Sequence, residues 1–355
     1  MSKYFSAKYA ALTPYVPGEQ PKDAQYVKLN TNESPFAPPQ SVIDAARLEA
    51  GKLHLYSDPE SAALTKKAAE VWGVKKSQIL MTNGSDEALN FAFMAFCDEN
   101  HPIAFPDITY GFYPVFAALN GIPYETIPLR ADFSVGYEDY LAIGKNIVIA
   151  NPNAPTGMAL SLVQIEEIVK SNPSNVVIID EAYVDFGGES CVPLIEKYDN
   201  LLVTQTFSKS RSLAGARLGV AIGNEKLIAD LNTVKYSTNP YNVNRMTAAA
   251  GLAILGETEW FENNRKTICE NREYTTAALK ELGFTVLDSK TNFLFAKSDK
   301  VKGKALYEGL KAKGVLIRHF NTARIADYVR ITIGTKEQMD VFLAKTKEII
   351  EEAAK

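Results

Sequence analysis

The sequence predicts an α/β protein. A large domain on a mostly parallel central sheet flanked by helices precedes a smaller α+β domain. Three observations point there. First, short apolar runs recur along the chain: QILMT at 78–82, NIVIAN at 146–151, VVII at 176–179 and LLV at 201–203. The run VVII is four branched apolar residues, which suits a parallel strand covered on both faces. Second, 355 residues are too many for one compact core. Third, the last hundred residues mix strand-like and helix-like stretches, the pattern of an α+β unit. The expected division is an N-terminal arm at 1–40, a large domain at 41–255 and a small domain at 256–355.

The arm is rich in proline and lacks periodicity: LTPYVPGEQP and NESPFAPP read as extended chain with turns. Such an arm lies across another surface, its own body or a partner subunit. Residues 41–52 and 60–72 have helical spacing, and the break between them, HLYSDPES, offers Ser57 or Asp58 as a cap. The strand 78–82 runs into Asn83, Gly84, Ser85, Asp86 and Glu87 and then a helix. Free amides at a helix start make an anion site. Strand 102–105 precedes Tyr110, placed at the mouth of the next helix where a ring could stack on a flat ligand. Residues 124–129 read as a strand. The strand 146–151 ends in the rigid turn Pro152 to Gly157, followed by a helix at 160–170. Strand 176–179 ends in Asp180, Glu181, Ala182 and Tyr183. In open α/β sheets ligands sit beyond the carboxyl ends of the strands, and a carboxylate buried there needs a partner. A protonated pyridine nitrogen is such a partner.

A strand at 218–222 and a helix at 224–235 follow. The stretch YSTNPYNVN reads as an exposed polar loop, and the chain is then helical to 282 with a break near Gly256. FTVLD, NFLFA, VLIRHF and YVRITIG read as the strands of the small domain, with helices at 302–313 and 336–353.

Composition narrows the function. Hydrophobic residues make up 46% and charged residues 23%, so burial is ample. Net charge is −4 and no basic tract occurs, which argues against a nucleic-acid partner. Cys97, Cys191 and Cys269 are far apart and odd in number, as free core thiols in a reducing compartment are. The three histidines show no metal-site spacing. The first residues lack the apolar core of a signal peptide, and no run approaches a membrane span. A soluble cytoplasmic protein is expected.

The most informative stretch is 201–219, LLVTQTFSKSRSLAGARLG. Lys209 stands at the lip of a buried strand between Ser208 and Ser210. A lysine partly withdrawn from water is more easily deprotonated, and its amine attacks carbonyls. The hydroxyls and Arg217 suit a phosphate. An aldehyde that carries a phosphate and forms a Schiff base with lysine is pyridoxal 5′-phosphate, PLP.

The order Asn83-Gly84-Ser85-Asp86-Glu87, Tyr110, NPNAPTG, DEAY, TFSKS and Arg217 resembles the PLP aminotransferases of fold type I, and among them the histidinol-phosphate aminotransferases. The resemblance runs from Leu12 to Thr335. It implies the PLP-transferase fold and a PLP cofactor. Lys209 would be the Schiff-base lysine and proton shuttle, and Asp180 would pair with the pyridine nitrogen. Tyr183 would bond the ring's phenolic oxygen and Tyr110 would stack on its face. The amides around Gly84, Ser85 and Asp86, the Ser208 hydroxyl and Arg217 would hold the phosphate. Tyr56, in LYSDPE, would reach the phosphate of a neighbouring subunit, which implies a homodimer with shared active sites. Tyr15, Arg318 and Arg330 would hold the anionic end of the small-molecule substrates, an amino donor and a 2-oxo acid.

The family often has asparagine directly before Pro-Thr-Gly. Here that position is Ala154, and Asn153 is expected to reach the ring by a shifted backbone, the alternative being that Tyr183 makes the contact alone. The reaction implied is amino transfer between histidinol phosphate and 2-oxoglutarate, a step of histidine biosynthesis. The same fold also admits an aromatic amino-acid aminotransferase, a threonine-phosphate decarboxylase of cobalamin synthesis, and a non-catalytic binder, which intact Lys209, Asp180 and Arg217 disfavour.

Overall fold

The computed structural model describes residues 2–10, 12–21 and 24–353. In chain order its elements are β1 (Val27–Lys28), α1 (Gln40–Ala50), α2 (Ala62–Trp72), β2 (Ile79–Thr82), α3 (Ser85–Phe96), β3 (Ile103–Pro106), α4 (Tyr113–Asn120), β4 (Tyr124–Ile127), β5 (Asn146–Ala150), α5 (Leu162–Ser171), β6 (Val177–Asp180), β7 (Leu201–Thr206) and β8 (Gly219–Gly223). Then come α6 (Glu225–Thr238), α7 (Arg245–Ile254), α8 (Thr258–Glu281), β9 (Phe284–Val286), β10 (Phe293–Ser298), α9 (Gly303–Ala312), β11 (Val315–Leu316), β12 (Arg318–His319), β13 (Tyr328–Thr332) and α10 (Lys336–Ala353).

Seven strands form one sheet in the order β2-β8-β7-β6-β5-β3-β4, in which β8 alone runs against the others. The carboxyl ends of six strands therefore share one edge of the sheet, and Thr82, Ala150, Asp180 and Thr206 lie along it. The apolar runs are continuous because both faces are covered. Ile147, Ile149, Val177, Ile179, Leu201 and Val203 pack into one core cluster, and Val148, Ile178 and Leu202 into the other. Packing fixes register here, since a slip by one residue would exchange the two faces.

The remaining strands make a four-stranded antiparallel sheet, β12-β13-β10-β9, with its own core of Leu294, Ile331, Leu306, Phe342 and neighbours. The segment VLIRHF, expected as one strand, splits at Ile317. Its first half, β11, pairs in parallel with β1 of the arm, and its second half, β12, pairs with β13. The described arm residues before β1 hold one 3-10 turn at Ala7–Tyr9 and no strand.

Two further details refine the expectation. The stretch 236–244 is a loop only in part and exposed only in part: Tyr236 and Tyr241 are exposed. Helix α6 continues to Thr238, Val243 is buried, and buried Asn242 donates to the Met81 carbonyl at 3.3 Å and to Glu87 at 2.6 Å. Between α1 and α2, Asp58 caps from outside the helix: its carboxylate accepts from the amides of Glu60 and Ala62 at 3.0 and 2.8 Å.

Candidate active site

The shared strand edge opens into a cavity of about 480 Å³. Asp180 closes its floor as the last residue of β6. It is buried, and β7 brings Thr204 directly opposite it. The Thr204 hydroxyl donates to Asp180 at 3.2 Å and the Tyr113 hydroxyl donates at 2.9 Å. Burial pushes the Asp180 carboxyl up to about 6, with the Asp86 charge adding and the two hydroxyls opposing. A buried carboxylate held by two neutral donors is poised for a cation.

Lys209 reaches the cavity from the turn after β7. Its Nζ donates to the Thr31 carbonyl at 3.3 Å and lies 5.8 Å from the centre of the Tyr183 ring. Tyr183 also lines the cavity. Its hydroxyl accepts from Asn32 Nδ2 at 2.9 Å, which leaves its own proton for an acceptor in the cavity.

The opposite wall is the β2–α3 turn. Gly84 has φ 80°, a conformation costly for other residues, and a Cβ there would meet Arg217 at 2.6 Å. Ser85 and Asp86 begin α3, so their amides have no intrahelical carbonyl to bond. Asp86 accepts from Arg217 at 2.8 Å and from the Tyr110 hydroxyl at 2.7 Å. Burial, then Asp86, pushes the Tyr110 phenol well above its ordinary value. Ser208 completes this wall.

A second cluster stands beside the cavity. Arg318 and Arg330 face each other directly across β12 and β13. Arg330 donates to the Asn30 carbonyl at 3.1 Å, while its buried Nε has no partner among the described residues. Burial lowers the Arg330 pKa, and the Arg318 charge adds to that. Arg318 donates to the arm carbonyls of Val16 and Pro17, both at 3.3 Å. Tyr15 stacks on Phe112 at 4.3 Å and carries the arm from the small sheet to the large one.

The structure thus gathers Lys209, Asp180, Tyr183, Tyr110, Ser85, Asp86, Ser208 and Arg217 around one cavity, with Gly84 behind Arg217. Tyr15, Arg318 and Arg330 form the adjoining cluster and do not line the cavity wall. Tyr56 stands apart from both. Its side chain is 80% exposed and stacks on Tyr241 at 4.6 Å. Asn153 corrects the expectation made for it. Its side chain donates to Ile108 O at 3.0 Å and Thr156 at 3.1 Å and accepts from Thr109 at 2.8 Å. Those bonds tie it to Thr156 of its own turn and to the connection between β3 and α4, and the small side chain of Ala154 lines the cavity instead. Sequence reasoning missed Tyr113, Thr204, Asn32, Thr31 and Glu33. Only Thr204 left a local signal, as a hydroxyl within a buried apolar run.

The family model for aminotransferase class I and II matches residues 24–345. The chain belongs to the class I and II aminotransferases. The aminotransferase is 49% identical over 353 residues to histidinol-phosphate aminotransferase of Brachyspira hyodysenteriae, covering 99% of each chain. It is 47% identical to histidinol-phosphate aminotransferase of Pseudomonas syringae pv. syringae, covering 97% of this chain and 98% of that one. Among solved structures it resembles histidinol-phosphate aminotransferase of Sinorhizobium meliloti in complex with pyridoxal-5′-phosphate, with a TM-score of 0.90, 23% identity and 99% of each chain covered.

The protein is therefore an enzyme, a transaminase of the PLP fold type I, and PLP is the cofactor of its family. The cavity fits that cofactor in three independent ways. A buried, cation-seeking carboxylate, a lysine amine and free helix-start amides beside Arg217 all border it.

Proposed function

We propose that this aminotransferase moves an amino group between histidinol phosphate and 2-oxoglutarate, yielding imidazole acetol phosphate and glutamate. The observation that carries the reading is the Arg318–Arg330 pair. Like charges directly opposite on neighbouring strands are unfavourable, and a buried Nε without a partner adds to the cost. An anion with several oxygens relieves both. Arginine's planar fork suits phosphate and carboxylate alike, so one clamp serves the phosphorylated amine and the dicarboxylic partner. The names of the curated relatives support the same substrate.

When bound, PLP supplies an electron-poor ring that accepts the electron pair left as the Cα proton departs. The rest is the work of the chain. Asp180 would hold a proton on the pyridine nitrogen. Tyr183, its hydroxyl fixed by Asn32, would donate to the ring's phenolic oxygen. Tyr110, tethered through Asp86, would cover the ring face. The Ser85 and Asp86 amides, Ser208 and Arg217 would hold the phosphate. Lys209 would bind the cofactor and then hold and move a proton at its Nζ.

A homodimer in the cytoplasm completes the reading, with an arm at 1–40, a large domain at 41–255 and a small domain at 256–355. Exposed Leu48, Leu53, Leu55 and Tyr56 support the dimer, because they put large apolar side chains on one stretch of surface. In that assembly Tyr56 reaches the phosphate of the other subunit. Mixing Lys209→Ala chains with Tyr56→Ala chains tests this: heterodimers regain activity if one intact site forms. No recovery in proven heterodimers would place Tyr56 outside the site.

The substrate is tested by comparing histidinol phosphate with unphosphorylated histidinol on the wild type and on Arg330→Ala. The wild type should strongly prefer the phosphorylated amine. The variant should lose most of that preference, about one to two orders of magnitude in kcat/KM. A wild type that handles tyrosine or threonine phosphate better than histidinol phosphate would overturn the assignment.

A further inference from the structure

We infer that Glu33 is a specificity-determining residue, accepting a hydrogen bond from the N–H of the donor's imidazole ring. The inference rests on the substrate proposed above. Its starting point is the segment 30–33, which touches three different places in succession. The Asn30 carbonyl accepts from Arg330, the Thr31 carbonyl accepts from Lys209, and Glu33 lines the cavity two residues later. The segment therefore runs from the anion clamp, past the amine that handles the reacting carbon, to a carboxylate. The proposed donor has three arms on its reacting carbon region in matching kind: a phosphate, an amine and a ring with an N–H.

Glu33 is built to be an ionised acceptor. Its carboxyl is half-buried, yet bonds from Lys28 and Thr31 overcome that burial and hold its pKa below the usual range, with the Lys28 and Lys209 charges adding. Both bonds fall on the same oxygen. Lys28 and the Thr31 hydroxyl, the latter at 2.6 Å, donate to Oε2, and among the described residues none donates to Oε1. Lys28 also donates to Thr31 at 2.6 Å, so the carboxylate is fixed in place by a closed triangle. A fixed acceptor with one oxygen free discriminates by hydrogen bond. A site that expects an N–H rejects an isostere without one more strongly than an apolar pocket rejects a misfit. The ring of an aromatic amine without N–H would leave the ionised oxygen desolvated and unpaired.

The test compares histidinol phosphate with phenylalaninol phosphate, which keeps the phosphate and amine but lacks the ring N–H. The wild type should favour the imidazole amine, and Glu33→Gln should lower the kcat/KM ratio of the two at least tenfold. Glu33→Asp, which keeps the charge but draws it back from the cavity, should lower the ratio as well. Calorimetric titration of both amines into Lys209→Ala and into Lys209→Ala/Glu33→Gln, neither able to turn over, should show the same loss as a ratio of Kd values. A ratio unchanged in all three comparisons, whether or not both amines weaken together, overturns the inference while leaving the proposed reaction standing. Absence of wild-type activity on histidinol phosphate overturns the proposed reaction itself, and this inference with it.

Discussion

The cavity and the arginine cluster beside it are built in opposite ways. Most cavity residues stand on strand ends of one buried sheet or on turns leaving it, joined by Thr31 and Glu33 of the arm. Asp180 is held by Thr204, its direct neighbour in the ladder, and by Tyr113. The cluster is assembled from the arm and two strands of the four-stranded sheet, where two like charges face each other and one buried Nε lacks a partner among the described residues. The cavity is thus organised before any ligand arrives, while the cluster gains from a ligand. That division suits a transaminase. The chemistry at the reacting carbon is the same for both substrates, whereas the anionic end must accept two different molecules in turn.

The comparison breaks first at Lys209. Lys209→Ala should lose about 10⁴-fold or more in turnover, since among the described residues no other lysine lines the cavity to take the Cα proton. It should still bind PLP through the phosphate wall. Borohydride reduction of the wild-type holoenzyme should attach the cofactor to Lys209. Peptide mapping that finds the label on another lysine would remove the cavity from its central place.

Asp180 is the next largest effect. Asp180→Asn keeps the shape and the two hydroxyl partners but lacks the charge that holds a pyridine proton. Turnover should fall by about 10²–10³-fold, with a smaller loss of cofactor affinity. The same residue gives a pH signature in the cofactor-free protein. Folded Asp180 titrates near 6 against an ordinary 3.8. Between those values the folded chain keeps a proton that the unfolded chain releases, so stability falls as pH rises through the window. The fall is about 3 kcal/mol in all. Urea unfolding at pH 4 and pH 7 should show it as the difference between wild type and Asp180→Asn, the other shifted carboxylates being common to both. Equal pH slopes in the two proteins would mean that Asp180 is not the strained carboxylate.

How far the sequence carries the reading follows the same division. Residues at the ends of apolar runs were legible, because a charge or an amine following VVII or LLVTQT has few structural explanations. Partners that meet only through strand order were not. Tyr113 and Asn32 touch Asp180 and Tyr183 across long stretches of chain, and nothing local marks them. Asn153 shows the limit of motif reading: NPNAPTG keeps an asparagine near the expected place, but hydrogen bonds to Ile108, Thr109 and Thr156 hold its side chain against the connection between β3 and α4. VLIRHF looked like one strand because apolar patterning reports burial and does not report which neighbour takes each backbone bond.

The smallest effect sharpens the comparison most. If the arginine cluster is strained without an anion, relieving it should stabilise the fold while weakening function. Arg318→Met is the suitable change. It removes the charge facing Arg330 and keeps most of the aliphatic stem; it gives up two 3.3 Å bonds to arm carbonyls that water can replace, a contact over the Phe320 ring and the attraction of Glu19. In low-phosphate buffer the variant should be as stable as the wild type or more so, by on the order of 0.5 kcal/mol. Added inorganic phosphate should then raise the Tm of the wild type more than that of the variant, because an anion stabilises only the form that binds it. Activity on histidinol phosphate should meanwhile drop about tenfold. A variant that is less stable at low phosphate and equally responsive to added phosphate would show Arg318 to be an arm tether. Anion recognition would then rest on Arg330 alone.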